Sequence, residues 1–254
     1  NTPPTAPDIS VAEAEVSAGV VTRAISAGGY FSCGLNEGQE IECWGDSSYG
    51  QTTSPSGTYD AISAGAFHAC AIDTSGSIEC WGRDSEGQVS DVPTSGSYTL
   101  ISSGPWHSCA LDESNEIECW GGIGAGETSP PAGAFTTITS GGSNSGGFSC
   151  ALDIDGNIEC WGEDSYGQVS SAPSGTFTEV GSGGYHTCAI DEDGELQCWG
   201  YTESTWSSIV PSGSFDNLEA GFFSTCALDE DGQLDCWENV NEAASAWNAD
   251  PPTD

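Results

Sequence analysis

Twelve cysteines fall into six pairs along this chain of 254 residues, and their regular spacing constrains the fold more than any other feature. The two cysteines of a pair lie ten positions apart, and successive pairs follow at intervals of 37 to 41 residues. A period of this length is typical of a four-stranded β-propeller blade or of a comparable solenoid unit. The pairs are Cys33 with Cys43, Cys70 with Cys80, Cys109 with Cys119, Cys150 with Cys160, Cys188 with Cys198 and Cys226 with Cys236.

Each pair encloses a predicted β-hairpin. In the fifth repeat the turn is Glu192-Asp193-Gly194, and a three-residue hairpin loop needs a residue with positive φ at its last position. Glycine or asparagine fills that position in five repeats, and Gln39 is the exception; the five are Gly76, Asn115, Gly156, Gly194 and Gly232. Apolar residues two positions inside each cysteine, such as Ile72 and Ile78, alternate with polar ones, as in a strand with one buried face.

Facing residues of such a hairpin have the separation that a disulfide requires. Zinc binding is the competing interpretation, but zinc sites usually combine C-x2-C pairs with histidines, and the spacing here is C-x9-C throughout. We therefore predict six disulfides, each within one repeat. Because disulfides persist in oxidising compartments, the sequence also predicts an extracellular or cell-surface location.

The landmarks of the repeat recur in a fixed order. The stretch Ile62–Gly82, ISAGAFHACAIDTSGSIECWG, followed by Glu86-Gly87-Gln88, resembles the bacterial form of the repeat of the regulator of chromosome condensation (RCC1). The resemblance covers about Val20 to Trp237 and implies an all-β fold, the β-propeller. Members of that family usually have seven blades, whereas this sequence has six repeats. We expect six blades, with seven as the alternative.

The repeats divide the chain into three parts. Residues 20–237 form the predicted propeller. Residues 1–19 are predicted to form a linker, with a closing strand or a strand donated to a neighbour as further roles, and residues 238–254 an irregular segment followed by a Pro-rich linker. The chain begins at Asn1 without Met and has no apolar run long enough to span a bilayer, which predicts a processed form whose signal has been removed.

Two recurring side chains are interpreted as packing rather than chemistry. A tryptophan follows the second cysteine of every repeat and is expected to wedge between adjacent blades: Trp44, Trp81, Trp120, Trp161, Trp199 and Trp237. His68, His107 and His186 stand two residues before a first cysteine, where Phe31, Phe148 and Phe223 are assigned in the other repeats. A position that accepts either histidine or phenylalanine indicates packing, not catalysis.

Charge excludes several classes of partner. With 39 acidic and two basic residues, the chain carries a formal charge of −37, which repels phosphate backbones and anionic lipids. We expect no nucleic-acid partner and no membrane insertion. No nucleophile motif is present and all cysteines are assigned to pairs, so we predict no enzyme activity and no cofactor. Turns such as Asp191–Gly194 carry half of a calcium loop, which predicts weak Ca²⁺ association at most.

An aromatic residue is assigned three positions before the first cysteine in five repeats. If the propeller closes, these residues lie around one of its ends: Tyr30, Phe67, Trp106, Tyr185 and Phe222. The fourth repeat has Gly147 instead. Clustered exposed aromatics suit protein recognition, and packing into the neighbouring blade is the alternative. We therefore expect a protein-interaction module that binds a protein or glycan. The competing hypothesis is a structural subunit that self-associates through its termini into an extracellular filament or surface layer.

The charge also generates a prediction about stability. Repulsion among carboxylates destabilises the compact state, and salt or divalent cations screen it. The melting temperature should therefore rise with added NaCl or CaCl₂ in a calorimetric series. A melting temperature that stays constant across the series would contradict this interpretation.

Overall fold

The computed structural model describes residues 25–143, 145–201 and 210–238, and in these ranges the chain is all-β and forms six three-stranded antiparallel sheets. Each sheet is a meander of consecutive strands, which we number as blades 1 to 6. The strands are β1 Ile25–Ala27, β2 Phe31–Leu35, β3 Ile41–Gly45; β4 Tyr59–Ala64, β5 His68–Asp73, β6 Ile78–Gly82; β7 Tyr98–Ser103, β8 His107–Asp112, β9 Ile117–Gly121; β10 Phe135–Ser143, β11 Gly146–Asp153, β12 Ile158–Gly162; β13 Phe177–Ser182, β14 His186–Asp191, β15 Leu196–Gly200; and β16 Phe215–Ala220, β17 Ser224–Asp229, β18 Leu234–Glu238.

The blades surround a common central cavity, to which all six contribute residues. This is the predicted six-bladed propeller, with a disulfide in every blade. Each sheet has three strands, not the four that the repeat length predicted. The stretch that links consecutive blades forms turns instead, as where the Asp84 carboxylate accepts the backbone N–H groups of Val89 and Ser90. The described residues contain no helix, and hence none that could span a bilayer.

The six disulfides join the second and third strands of each blade, as predicted. The two cysteines of a pair face each other in the strand register, with their Cα atoms 4.0–4.1 Å apart. The bonds are Cys33 to Cys43, Cys70 to Cys80, Cys109 to Cys119, Cys150 to Cys160, Cys188 to Cys198 and Cys226 to Cys236.

The two ends of each disulfide differ in burial. In blades 1 to 5 the first cysteine is completely buried. The second cysteine is half-buried in the same blades: Cys43, Cys80, Cys119, Cys160 and Cys198. In blade 6 Cys226 is half-buried and Cys236 is exposed. Each bond therefore runs from the inter-blade core towards the surface, and the last one is the most accessible to a reductant.

The turns of the hairpins also form as predicted. The last loop residue has positive φ in every hairpin, including Gln39 at 60° and Asn115 at 65°. Gln39 therefore adopts the required backbone conformation despite its side chain.

The apolar core lies between blades, not within them. Five equivalent clusters join blade 1 to blade 2 and so on to blades 5 and 6. In the first, Phe31, Cys33 and Ile41 of blade 1 pack against Ile62 and Trp81 of blade 2. Five of the six tryptophans act as the predicted wedges, whereas Trp44 is half-buried and belongs to none of these clusters. In four of the five, the indole N–H group donates to the backbone carbonyl of a buried Gln or Glu in the loop that precedes the blade: Trp81 to Gln51, Trp120 to Gln88, Trp161 to Glu127 and Trp199 to Gln168.

The three histidines are buried at the same junctions. Each Nε2 lies 2.7–2.8 Å from a hydroxyl of the following blade: His68 beside Ser108, His107 beside Ser149 and His186 beside Thr225. Where Phe31 replaces the histidine, the facing residue is Ala69, which has no hydroxyl to satisfy. Burial lowers the pKa of His68 to about 3 and the pKa values of His107 and His186 to about 4. These imidazoles are neutral structural groups between blades.

The strand register corrects one assignment in the last repeat. Cys226 pairs with Cys236 and Ser224 with Glu238, as Cys33 pairs with Cys43 and Phe31 with Gly45. Ser224, and not Phe223, therefore occupies the position of the buried His or Phe. Phe223 in turn matches Tyr30, Phe67, Trp106 and Tyr185, whereas Phe222 lies one residue earlier. Counting along the sequence agrees, since Phe223 stands three residues before Cys226.

The junction between blades 6 and 1 differs from the other five. Leu234 of blade 6 is 47% exposed, whereas the equivalent Ile41 and Ile78 are each 8% exposed. On the other side, Ile25 of blade 1 is 46% exposed, and the equivalent Ile62 is 1% exposed. Among the described residues, the two halves of a sixth inter-blade core are thus present without packing against each other.

The buried histidines generate a pH prediction. An unfolded imidazole binds a proton near pH 6.5, but folded His107 does so only near pH 4, so unfolding takes up a proton between these values. Stability should therefore fall as the pH drops below 6.5, by about 1.4 kcal/mol per pH unit for each such imidazole.

His107→Phe removes one of these groups, and Ser149 keeps its hydrogen bond with Ser140. The free energies of unfolding of the wild type and this variant are measured with denaturant at pH 6.5 and at pH 4.5. Between these pH values the wild type should lose roughly 2–3 kcal/mol more stability than the variant. A difference that stays constant over this range would show that folding does not lower the pKa of His107.

Candidate functional site

One end of the central cavity is the candidate functional site. The cavity has a volume of about 450 Å³, and each blade contributes a glycine to its lining: Gly28, Gly65, Gly104, Gly141, Gly183 and Gly221. Five of these follow directly after the first strand of their blade, and Gly141 lies within the longer first strand of blade 4. Neighbouring backbones approach closely here, since a Cβ atom on Gly65 would lie 2.3 Å from the Gly104 carbonyl oxygen. At five of the six positions, all but Gly221, a Cβ atom would lie 2.3–2.6 Å from a neighbouring atom, so only glycine fits there. This close approach places the residues that follow at the cavity mouth.

Hydroxyl groups hold neighbouring blades together beside this cavity. Ser26 Oγ accepts the backbone N–H of Ala64, and Ser63 Oγ accepts that of Ser103, both at 2.9 Å. The same contact recurs from blade 3 to blade 4 and from blade 4 to blade 5. The mouth is thus supported by a repeated set of inter-blade hydrogen bonds.

Aromatic residues concentrate at this end of the molecule. We define the aromatic mouth as Tyr30, Tyr49, Phe67, Trp106, Tyr166, Tyr185, Tyr201, Phe222 and Phe223, which form two groups of contacting rings. Five of these are among the large apolar side chains with the greatest exposure, from 43% for Tyr166 to 72% for Tyr30. Clustered exposure of this kind marks an interaction surface rather than core.

The first group, cluster A, comprises Tyr30, Tyr49, Phe67 and Trp106 from blades 1 to 3. The Phe67 ring lies 5.7 Å from Tyr49 and 5.9 Å from Trp106 between centroids. The Arg83 guanidinium carbon lies 4.7 Å from the Trp106 centroid, 5.2 Å from that of Tyr49 and 5.5 Å from that of Phe67. Cluster A is thus an aromatic cage around a cation.

The second group, cluster B, comprises Tyr166, Tyr185, Tyr201, Phe222 and Phe223 from blades 4 to 6. Tyr166 packs edge-on against Tyr185 at 5.3 Å and against Tyr201 at 5.0 Å. Phe222 packs edge-on against Tyr185 at 5.5 Å and lies 4.5 Å from Phe223. Five rings in continuous contact form a surface that spans three blades.

Blade 4 separates the two clusters. Its residue at the aromatic position is Gly147, where a Cβ atom would lie 2.4 Å from His107 Nδ1. The hairpin β10–β11 is also longer than its equivalents, and Trp106 donates its indole N–H to the Ser143 carbonyl there at 2.9 Å. A buried histidine and a longer hairpin therefore exclude an aromatic ring from the mouth at this blade.

The structure places the five predicted site residues in both clusters. Tyr30 and Phe222 are exposed, Phe67 and Tyr185 are half-buried, and Trp106 is only 9% exposed. Trp106 therefore serves as a wall of the cage around Arg83, which matches the packing alternative for this residue. The set divides into Tyr30, Phe67 and Trp106 in cluster A and Tyr185 and Phe222 in cluster B.

Sequence reasoning missed four aromatic members of the mouth and Arg83. Tyr49 and Tyr166 lie at the same point of the linking loops Ser48-Tyr49-Gly50-Gln51 and Ser165-Tyr166-Gly167-Gln168, and that shared motif is the signal that could have identified them. Buried glutamines position these rings: Gln51 Oε1 accepts the backbone N–H of Tyr49 at 2.7 Å, and Gln168 Oε1 accepts that of Tyr166 at 2.8 Å. Phe223 stands three residues before Cys226, the position of Tyr30 relative to Cys33, so the spacing from the cysteine could have identified it. Tyr201 carries no comparable motif.

The carboxylates of the acidic turns accept hydrogen bonds from backbone N–H groups of the same turns. Asp153 Oδ1 accepts the backbone N–H groups of Asp155 and Asn157, and Asp191 and Asp229 make equivalent contacts. Hydrogen bonds, first among them one from the Asn157 side chain, lower the pKa of Asp153. Within ranges 25–143, 145–201 and 210–238, no three His, Cys, Asp or Glu side chains are grouped as a metal site. Weak Ca²⁺ association stays a prediction.

Comparison with known proteins agrees with this architecture. Residues 23–51, 59–88 and 177–204 match the family described as "Regulator of chromosome condensation (RCC1) repeat". No curated protein matched the sequence. Together with the solved structures below, the three matches identify the fold as an RCC1-like β-propeller.

Similar solved structures include the entire ectodomain of the receptor kinase CR4 from Physcomitrella patens, with 28% identity, a TM-score of 0.72 and coverage of 85% of this chain. The chain spans 63% of that ectodomain. The CRINKLY WD40 ectodomain of the Arabidopsis thaliana receptor kinase ACR4 has 24% identity and a TM-score of 0.72, with coverage of 86% of this chain and 82% of that one. Prp20p from Saccharomyces cerevisiae, whose structure was described with its binding to Gsp1p and histones, has 16% identity and a TM-score of 0.68, with coverage of 84% and 71%.

Proposed function

We propose that this chain is a non-enzymatic interaction module of the cell exterior that binds a protein or glycan through its aromatic mouth. The observation that carries the proposal is the gathering of nine aromatic rings, five of them exposed, at one end of a rigid propeller. Aromatic side chains offer large contact areas at low entropic cost and dominate the binding energy of many interfaces.

The exterior location is supported by two findings. Every blade carries a disulfide, and no free cysteine occurs among the described residues. Such bonds persist in oxidising compartments. Two of the similar structures are ectodomains of plant receptor kinases.

The absence of enzyme activity is supported by how the reactive groups are used. The histidines are buried between blades beside hydroxyl groups, and burial lowers the pKa of each of them. The cysteines of the described blades form disulfides. The mouth itself offers rings and one guanidinium, which suit recognition more than bond cleavage.

A selection experiment tests this function. A displayed peptide library and a glycan array are screened against the wild-type chain, and the affinity of each selected ligand is measured by calorimetry. The triple variant Tyr30→Ser/Tyr166→Ser/Phe222→Ser should weaken binding by at least about tenfold, because aromatic anchors commonly contribute about 2 kcal/mol or more each.

Ile154→Ser is the matched control, since Ile154 is 64% exposed but lies in a hairpin turn outside the mouth. It should leave the affinity within about twofold of the wild type, a change below about 0.5 kcal/mol. Ligands whose binding is equally insensitive to the triple variant would contradict the proposal.

A second candidate function is that of a structural subunit of an extracellular filament. Leu234 on blade 6 and Ile25 on blade 1 are exposed halves of a contact that is buried five times elsewhere in the chain. Ile25 is also the first described residue, so residues 1–24 directly precede this open junction in the sequence. We propose that the N-terminal segment of a second copy fills it. A head-to-tail contact of this kind produces open filaments.

Deletion of Asn1–Val16 tests whether the N-terminal segment joins two copies of the chain. Deletion of Asn248–Asp254 is the control. The wild type and the control should assemble with rising concentration in light scattering and electron microscopy, and the N-terminal deletion should stay monomeric with an unchanged melting temperature. A wild type that stays monomeric, or an N-terminal deletion that unfolds, would contradict strand exchange between copies.

A further inference from the structure

Clusters A and B occupy equivalent positions three blades apart. Tyr49 and Tyr166 each lie four residues after the glycine that ends the third strand, in blades 1 and 4. Phe67 matches Tyr185, because each precedes the buried histidine of its blade. Each loop tyrosine meets its partner edge-on, at 5.7 Å and 71° for Tyr49 and Phe67 and at 5.3 Å and 85° for the other pair.

The correspondence extends to the third ring. Phe223 of blade 6 holds the position of Trp106 in blade 3. Phe67 and Trp106 lie 5.9 Å apart with a tilt of 42°, and Tyr185 and Phe223 lie 6.2 Å apart with a tilt of 30°. The two clusters are therefore built to one geometric plan.

The two clusters differ in the side chain that follows the last glycine of the blade, which is a cation in cluster A only. Arg83 directly follows the last glycine of blade 2, and the equivalent residue of blade 5 is Tyr201. Arg83 Nε donates to Ser85 Oγ, which holds the guanidinium over the rings. Arg83 is also the only Lys or Arg among the described residues, so cluster B has no cation from this part of the chain.

Carboxylates stand in the loop that carries the first ring of cluster B. Glu163 Oε2 accepts a hydrogen bond from Gln168, and Asp164 Oδ1 accepts the backbone N–H groups of Val169 and Ser170. Both side chains are fixed by these contacts near Tyr166. Cluster B thus combines the exposed rings of Tyr166, Phe222 and Phe223 with carboxylates in the adjoining loop.

We propose that cluster B binds an arginine side chain of a basic protein partner, which packs on the exposed rings of Tyr166, Phe222 and Phe223 beside Tyr201. This inference rests on the proposed binding function and names its partner class. Cation–π attraction to several rings selects a guanidinium over a neutral group, and the acidic loop adds Coulomb attraction. The formal charge of −37 accelerates the approach of a cationic partner, while the rings confer the specific contact.

The test uses the peptide Gly-Arg-Gly-Arg-Gly, its citrulline analogue and its lysine analogue as probes, titrated calorimetrically into the full chain at low and moderate salt. The arginine peptide should bind at least about tenfold more tightly than the neutral citrulline peptide. Tyr166→Leu/Phe223→Leu, which keeps apolar bulk but removes two π faces, should reduce this preference to less than about threefold. Ile154→Ser, which lies outside the mouth, should leave it unchanged.

A substitution that supplies the cation internally gives a second readout. Tyr201→Arg reproduces the arrangement around Arg83, so it should abolish binding of the arginine peptide, whereas the uncharged Tyr201→Gln should weaken it only a few-fold. Melting temperatures verify that each variant is folded.

Three results would overturn the inference: equal binding of the arginine and citrulline peptides, an arginine preference that survives Tyr166→Leu/Phe223→Leu, or unchanged binding to Tyr201→Arg. If the ligands selected for the proposed function still require the aromatic mouth in any of these cases, only the identity of the partner is wrong. If they also ignore the mouth, the proposed function itself fails.

Discussion

The disulfide across each hairpin is the constraint on which the rest of this structure depends. A blade of three short strands has no core of its own, because its apolar residues face the next blade. Closing a loop between cysteines ten positions apart removes entropy from the unfolded chain, on the order of 2–3 kcal/mol per bond. Six such bonds hold the second and third strands in register, so that Trp, His and the apolar pairs can fit between blades.

Contacts between blades fix the hairpins relative to one another, so that the ends of the blades form one surface at the cavity mouth. Glycine bends bring neighbouring backbones so close that a side chain at Gly65 would collide with the next blade, and serine hydroxyls bond across the same boundary. The residues after each bend are therefore fixed at the cavity mouth. Aromatic rings held there need little further ordering on binding, which favours affinity.

Much of the fold followed from the sequence because the signals repeat. The cysteine spacing predicted the pairing, and the glycine before the third strand predicted the turn, which even Gln39 obeys. The site was predicted only in part. Trp106 is covered by the longer hairpin of blade 4, a contact between repeats that periodicity within one repeat does not reveal. Arg83 and Tyr201 appear as unremarkable residues until the fold brings them among rings. Phe222 lies one position before the residue that matches Tyr30, because Phe223 is the one three positions before Cys226.

The central claim is that every cysteine is joined to the one ten positions away, giving six equivalent stapled hairpins. Proteolysis of the unreduced protein followed by mass spectrometry of the crosslinked peptides tests it most directly. The account predicts only pairs within a repeat, such as Cys70 with Cys80, and no free thiol. Bridges between different repeats, free cysteines or bound zinc would contradict it.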